Sequence, residues 1–100
     1  MTEIAKIDFS QAETVANFLK VLSNPDRLKI VCVLIDGECN VQQIEDYVEI
    51  HQPTLSQQLT VLRKNKIVTT RREGKQIFYT VSDPKILVIM QTLYQLYCAN

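Results

Sequence analysis

Residues 51–66 read HQPTLSQQLTVLRKNK, and this stretch decides the fold. Pro53 suits the first turn of a helix, where a missing N–H costs nothing. Leu55, Leu59 and Leu62 recur at helical spacing on one face. The remaining positions, Thr54, Ser56, Gln57, Gln58 and Thr60, are short or amide-bearing and uncharged. A solvated helix face ordinarily carries Glu and Lys, so this composition asks for a partner that amides and hydroxyls can read. Gln pairs bidentately with adenine, Ser and Thr reach bases or phosphates, and the Thr methyl meets the thymine methyl.

Working outward, NVQQIEDYV (40–48) predicts the preceding helix, with Asn40 as N-cap and Gln43 completing a capping box. Val41, Ile44 and Val48, with Tyr47, form its apolar stripe. The link EIHQ (49–52) is short enough to make the two helices a helix-turn-helix, whose second helix enters the major groove. Downstream, IVTTR and QIFYTV are β-branched and aromatic, with REGK between them. They predict a β-hairpin with a basic tip and a positive φ at Gly74. Asp83-Pro84 opens a last helix running to about Cys98. Upstream, Ser10 is expected to cap a first helix bearing Val15, Phe18, Leu19 and Leu22. Asn24 caps a second, PDRLKIVCVLID, which is apolar nearly all round and ends at Gly37. The expected fold class is mainly α with a β-hairpin wing, in the order α-α-α-α-β-β-α, as one domain over residues 1–100.

The net charge of zero hides a division. Residues 1–50 carry four basic against nine acidic side chains; residues 51–100 carry seven against two. Six of those seven, Arg63, Lys64, Lys66, Arg71, Arg72 and Lys75, fall within thirteen residues. A basic patch on an otherwise acidic small protein is the footprint of a polyanion binder. Arg63, Lys64, Arg71, Arg72 and Lys75 are the expected phosphate contacts, with Gln52, Thr54, Ser56, Gln57 and Gln58 as the DNA-reading set. No apolar run approaches the ~20 residues of a membrane span, and no secretory signal is evident. Three cysteines at 32, 39 and 98 do not make a secreted disulfide framework, so a cytoplasmic location with reduced thiols is expected. No Cys-x-x-Cys motif, Cys/His pair or glycine-rich phosphate loop supports an enzyme, and no cofactor is called for.

LKVLSNPDRLKIVCVL, QPTLSQQLTVLRKNKIV and RREGKQIFYTVSD together resemble the ArsR family of winged-helix repressors over about residues 12–98. The resemblance implies a homodimer, paired through the first and last helices, on an inverted-repeat operator of double-stranded DNA. Each protomer would read one half-site, the two lying about one DNA turn apart. It also frames the question of what is sensed. The family's third-helix metal box carries a Cys-x-Cys pair; here Cys39 matches one position, but the other is Val41. Its last-helix metal site uses an Asp and several His; here Asp83 is followed by no histidine, and His51 alone lies in the turn before the recognition helix. No metal site is therefore expected, although a metal-responsive repressor recruiting Cys39 and Cys98 stands as the alternative.

Cys32 and Cys98 match the sensor positions of the family's persulfide-sensing, BigR/SqrR-like branch. That match implies a dithiol switch, in which an inorganic or organic persulfide leads to a disulfide or polysulfide bridge between the two and to release of DNA. Taken without the resemblance, Cys32 reads as a small buried hydrophobe, Cys98 as a near-terminal residue, and Cys39 as incidental in an inter-helix turn. Nothing beside Cys32 in the sequence announces a lowered thiol pKa.

Overall fold

The computed structural model describes residues 8–99. Its elements are α1 (Ala12–Leu22), α2 (Pro25–Asp36), β1 (Cys39–Asn40), α3 (Val41–Val48), α4 (Thr54–Lys64), β2 (Thr69–Glu73), β3 (Gln76–Thr80) and α5 (Pro84–Tyr97). The expected helices and hairpin are present, with one strand added. This is a winged helix-turn-helix.

The core forms where the apolar stripes converge. Ile30, Val31 and Leu34 of α2 meet Ile44 and Val48 of α3, Leu55, Leu59 and Leu62 of α4, and Ile86 and Met90 of α5. Each such side chain removed from water contributes about 1.5–3 kcal/mol, so α4 is held by its leucine face far more firmly than by propensity. The opposite face of α4 has no choice but to point outward.

Local chemistry sets the helix starts. The Asn24 side chain accepts a hydrogen bond from the Arg27 backbone N–H at 3.1 Å, with Pro25 at the first position of α2. Asn40 accepts from Gln43 N–H at 2.8 Å, and the Gln43 side chain accepts from Asn40 N–H at 2.9 Å, closing the capping box. Asp83 accepts from Lys85 N–H at 2.9 Å and opens α5. Ser10 does not cap α1: that helix starts at Ala12 without a side-chain cap, while Ser10 N–H donates to Asp8 at 2.8 Å.

Three further expectations are corrected by packing. Tyr47 leaves the apolar stripe of α3 and is 70% exposed. Cys32 is not a core residue: α2 buries one side only, and Cys32 opens onto the surface. Cys39, expected in a turn, is buried within β1, which pairs antiparallel with β3 through Cys39↔Tyr79 and Asn40↔Phe78. The sheet order is therefore β1-β3-β2. This short strand fastens the base of the wing to the start of α3, and the Asn40 amide also donates to Gln76 at 3.0 Å.

β2 and β3 register as Thr69↔Thr80 through Glu73↔Gln76, leaving Gly74 and Lys75 as a two-residue loop. Gly74 has φ +63°, and it alone of the two loop residues has a positive φ, the pattern of a type II′ hairpin turn. Gly74→Ala is expected to lower stability by about 1–3 kcal/mol in urea unfolding. Gly37→Ala should change it by less than about 0.5 kcal/mol, because that backbone is extended and nothing lies within 4 Å of a Cβ there.

Candidate nucleic-acid interface and thiol pair

The outward face of α4 carries Ser56, Gln57 and Thr60, all exposed, with Thr54 half-buried. Gln52, just before the helix, folds its side chain over the helix start. Its Oε1 accepts from Ser56 N–H at 3.0 Å and from the Ser56 hydroxyl at 2.7 Å. The Thr60 hydroxyl donates to the Ser56 carbonyl at 2.9 Å. His51 lies in the turn, exposed, with Nδ1 3.1 Å from Glu45 Oε2. Gln57 forms no side-chain hydrogen bond among the described residues and is free for a partner.

Two residues expected at the interface are otherwise engaged. Gln58 turns inward, half-buried, where its Oε1 accepts from Arg27 Nη1 at 2.9 Å. Arg27 Nε also donates to the Val21 carbonyl at 2.5 Å, so one guanidinium ties the end of α1, the start of α2 and the recognition helix together. Arg71 is held by Glu38 through two parallel bonds of 2.6 and 2.7 Å, and by Glu73 at 2.7 Å. Its guanidinium also lies 4.6 Å from the centroid of the Phe78 ring. Arg71 thus anchors the wing to the segment before β1. The pairs hold the Glu38 carboxyl below its ordinary value, chiefly through the Arg71 hydrogen bonds, and raise Arg71 well above its own.

Arg63, Lys64, Arg72 and Lys75 are exposed, and among the described residues none makes an ion pair. Arg63 and Lys64 end α4; Lys75 lies in the hairpin loop beside Arg72 on β2. Successive strand residues point to opposite faces, so Arg72 projects away from the Arg71 anchor. Uncommitted cations therefore flank an uncharged polar helix face from its C-terminal end and from the wing.

The second feature lies between α2 and α5. A groove of about 430 Å³ is lined by Cys32, Asp36, Met90, Gln91, Tyr94 and Gln95, among others. Cys98 ends α5 one turn further on, exposed, its backbone N–H donating to the Tyr94 carbonyl at 2.8 Å. Burial pushes the Cys32 thiol up from its ordinary value, and the charges of Cys98 and Asp36 push it further. Cys39 is apart from them, buried, its thiol 3.7 Å from the Gly37 carbonyl and raised mainly by burial. Among the described residues, no three His, Cys, Asp or Glu side chains gather as a metal site.

Residues 24–70 match the bacterial regulatory protein arsR family. The biofilm growth-associated repressor of Xylella fastidiosa (strain 9a5c) is 51% identical over 90 residues, spanning 90% of this chain and 79% of that protein. This chain belongs to the arsR family. The crystal structure of the transcriptional repressor BigR from Xylella fastidiosa matches with a TM-score of 0.85 at 50% identity, over 90% of this chain and 92% of that one. Reduced HlyU from Vibrio cholerae matches with a TM-score of 0.83 at 35% identity, over 88% and 93%. In arsR-family terms, α3–α4 is the helix-turn-helix and β2–β3 the wing. The relatives are regulators of transcription and not enzymes.

The two arginine ties leave no local signal in the sequence, because their partners lie 31 and 33 residues away.

The Glu38–Arg71 pair makes the wing sensitive to acid. A carboxyl held below its unfolded value, about 4.5, contributes stability that is fully present above that value. This stability is lost as pH falls through the lower folded value. Protection factors of the β1–β3 amides, with the intrinsic pH dependence of exchange divided out, are expected to fall on acidification below pH ~4.5. Glu38→Gln should show lower protection factors at neutral pH and little further fall with acid.

Proposed function

We propose that this arsR-family chain is a homodimeric transcriptional repressor, working in the cytoplasm on an inverted-repeat operator and released when Cys32 and Cys98 are joined. The observation that carries the DNA-binding part is the uncharged polar face of α4, accompanied by cations that make no ion pair among the described residues. Gln57 and Thr54 would read base edges, while Arg63, Lys64, Arg72 and Lys75 grip phosphates and fix register. The similar BigR is a repressor; HlyU of Vibrio cholerae, 39% identical over 80 residues, is described as an activator. A repressor is favoured by the higher identity to the former.

The apolar surface of the two end helices supports a dimer. On α1, Val15 and Leu19 are exposed; on α5, so are Val88, Leu93, Tyr94, Leu96 and Tyr97. Large apolar side chains left exposed in this number on two helices are what an interaction surface would cover. Pairing through α1 and α5 would leave α4 and the wing free to face DNA.

The groove between α2 and α5, with Cys32 in its wall and Cys98 one turn beyond it, supports the switch. Cys98, exposed as Cys32 is, takes up the reactant in this scheme. Its thiolate attacks the terminal sulfur of a persulfide R–S–SH, releasing the thiolate R–S⁻ and leaving Cys98 as a persulfide. Cys32 then gives up its proton and attacks Cys98 Sγ, displacing HS⁻ and closing a disulfide. If a second persulfide first adds another sulfur to Cys98, attack on the sulfur bonded to Sγ again releases HS⁻ and yields a trisulfide. The wider bridge suits thiols whose Cα atoms lie beyond the ~7 Å limit of a plain disulfide. Tying α2 to α5 would restrain the dimer helices against the DNA-reading core. A tenfold loss of operator affinity needs only ~1.4 kcal/mol of difference between the two states.

Operator binding of the reduced protein is therefore expected to weaken at least tenfold after treatment with an organic persulfide. Intact mass spectrometry should then show one bridge between Cys32 and Cys98. Cys98→Ser should bind operator normally and resist release; release of that variant at the wild-type level would refute the switch.

A further inference from the structure

We infer that Gln52 is a donor-only reader of the operator, fixed to recognise guanine and not adenine. The inference rests on the DNA-reading function proposed above and specifies what one position of that surface selects. A free glutamine amide offers an N–H donor and a C=O acceptor side by side, which is why it pairs bidentately with adenine N6 and N7. Gln52 is not free. The Ser56 backbone N–H at 3.0 Å can only donate, so the atom facing it must be the amide oxygen. The Ser56 hydroxyl lies 2.7 Å from that same oxygen, and because a carbonyl oxygen cannot donate, the hydroxyl hydrogen must point at it.

Both lone pairs of Gln52 Oε1 are thereby occupied, and the amide cannot rotate by half a turn without leaving the Ser56 N–H unpaired. What remains is the Nε2 group, without a partner among the described residues, carried at the N-terminal end of the recognition helix. That end is the part of a helix-turn-helix whose side chains reach base edges. Two hydrogens and no acceptor match guanine, whose major-groove edge presents O6 and N7 together. Adenine offers N7 but sets its own N6 donor against the amide donor, so one bond is lost and two hydrogens oppose each other. Gln57, with both amide atoms uncommitted, keeps the adenine option. Two glutamines five residues apart would thus read different bases because of what each is bonded to within the protein.

The test is selection from a pool of duplexes with a randomised half-site, using full-length reduced protein, with thermal melts showing that each variant is folded. Wild type is expected to enrich guanine at one base pair of each half-site. Gln52→Lys, which has donors only, should keep that preference, and Gln52→Glu, which has acceptors only, should lose it. Replacing that guanine by 7-deazaguanine, which removes N7, should weaken wild-type binding about tenfold and leave Gln52→Glu within about twofold. Enrichment of adenine at the position that responds to Gln52, or an identical site chosen by wild type and Gln52→Glu, would overturn the inference while leaving DNA reading intact. A wild-type protein that enriches no sequence would overturn the DNA-reading function and the inference with it.

Discussion

The burial of Leu55, Leu59 and Leu62 against Ile30, Val31 and Leu34 is the contact on which the rest of the molecule depends. All six are almost fully buried, and at about 1.5–3 kcal/mol each they outweigh any other single contribution. With one face of α4 so fixed, helical geometry dictates which side chains face solvent. Those side chains are uncharged and polar, and the helix that carries them ends in Arg63 and Lys64, which make no ion pair among the described residues. Packing energy and recognition chemistry are therefore set on opposite sides of one helix.

Two arginines then refine what the core has placed. Arg27 joins the end of α1, the start of α2 and Gln58 of α4, so the reading helix cannot move independently of the helix that carries Cys32. Arg71 commits its guanidinium to Glu38, Glu73 and Phe78, so the wing cannot pivot independently of β1. Charge-assisted, bidentate pairing is the geometry in which Arg performs better than Lys, and it gives position as well as energy.

Much of this was legible in the sequence, because much of it is written in local periodicity and capping. Asn24, Asn40 and Asp83 start the helices they were expected to start, and Gly74 takes the positive φ its turn requires. The cases that escaped are those decided at a distance. Two residues cannot display the alternation of a strand, so β1 and the burial of Cys39 could not be seen. Cys32 looked like core because its neighbours are apolar, yet α2 has packed partners on one side only. The internal partners of Gln58 and Arg71 lie some thirty residues away and so leave no local trace. Composition tells what a residue can do; only the fold tells whether it is already doing something else.

Everything proposed for DNA reading places it on the solvent face of α4 and the wing tip. Backbone amide NMR of the reduced protein, titrated with an operator duplex, locates the bound surface residue by residue. Shifts are expected to concentrate at residues 52–64 and 72–75 and to spare the exposed turns of α5 from Leu93 to Tyr97. Shifts centred on α1 and α5, with α4 and the wing unmoved, would contradict that placement.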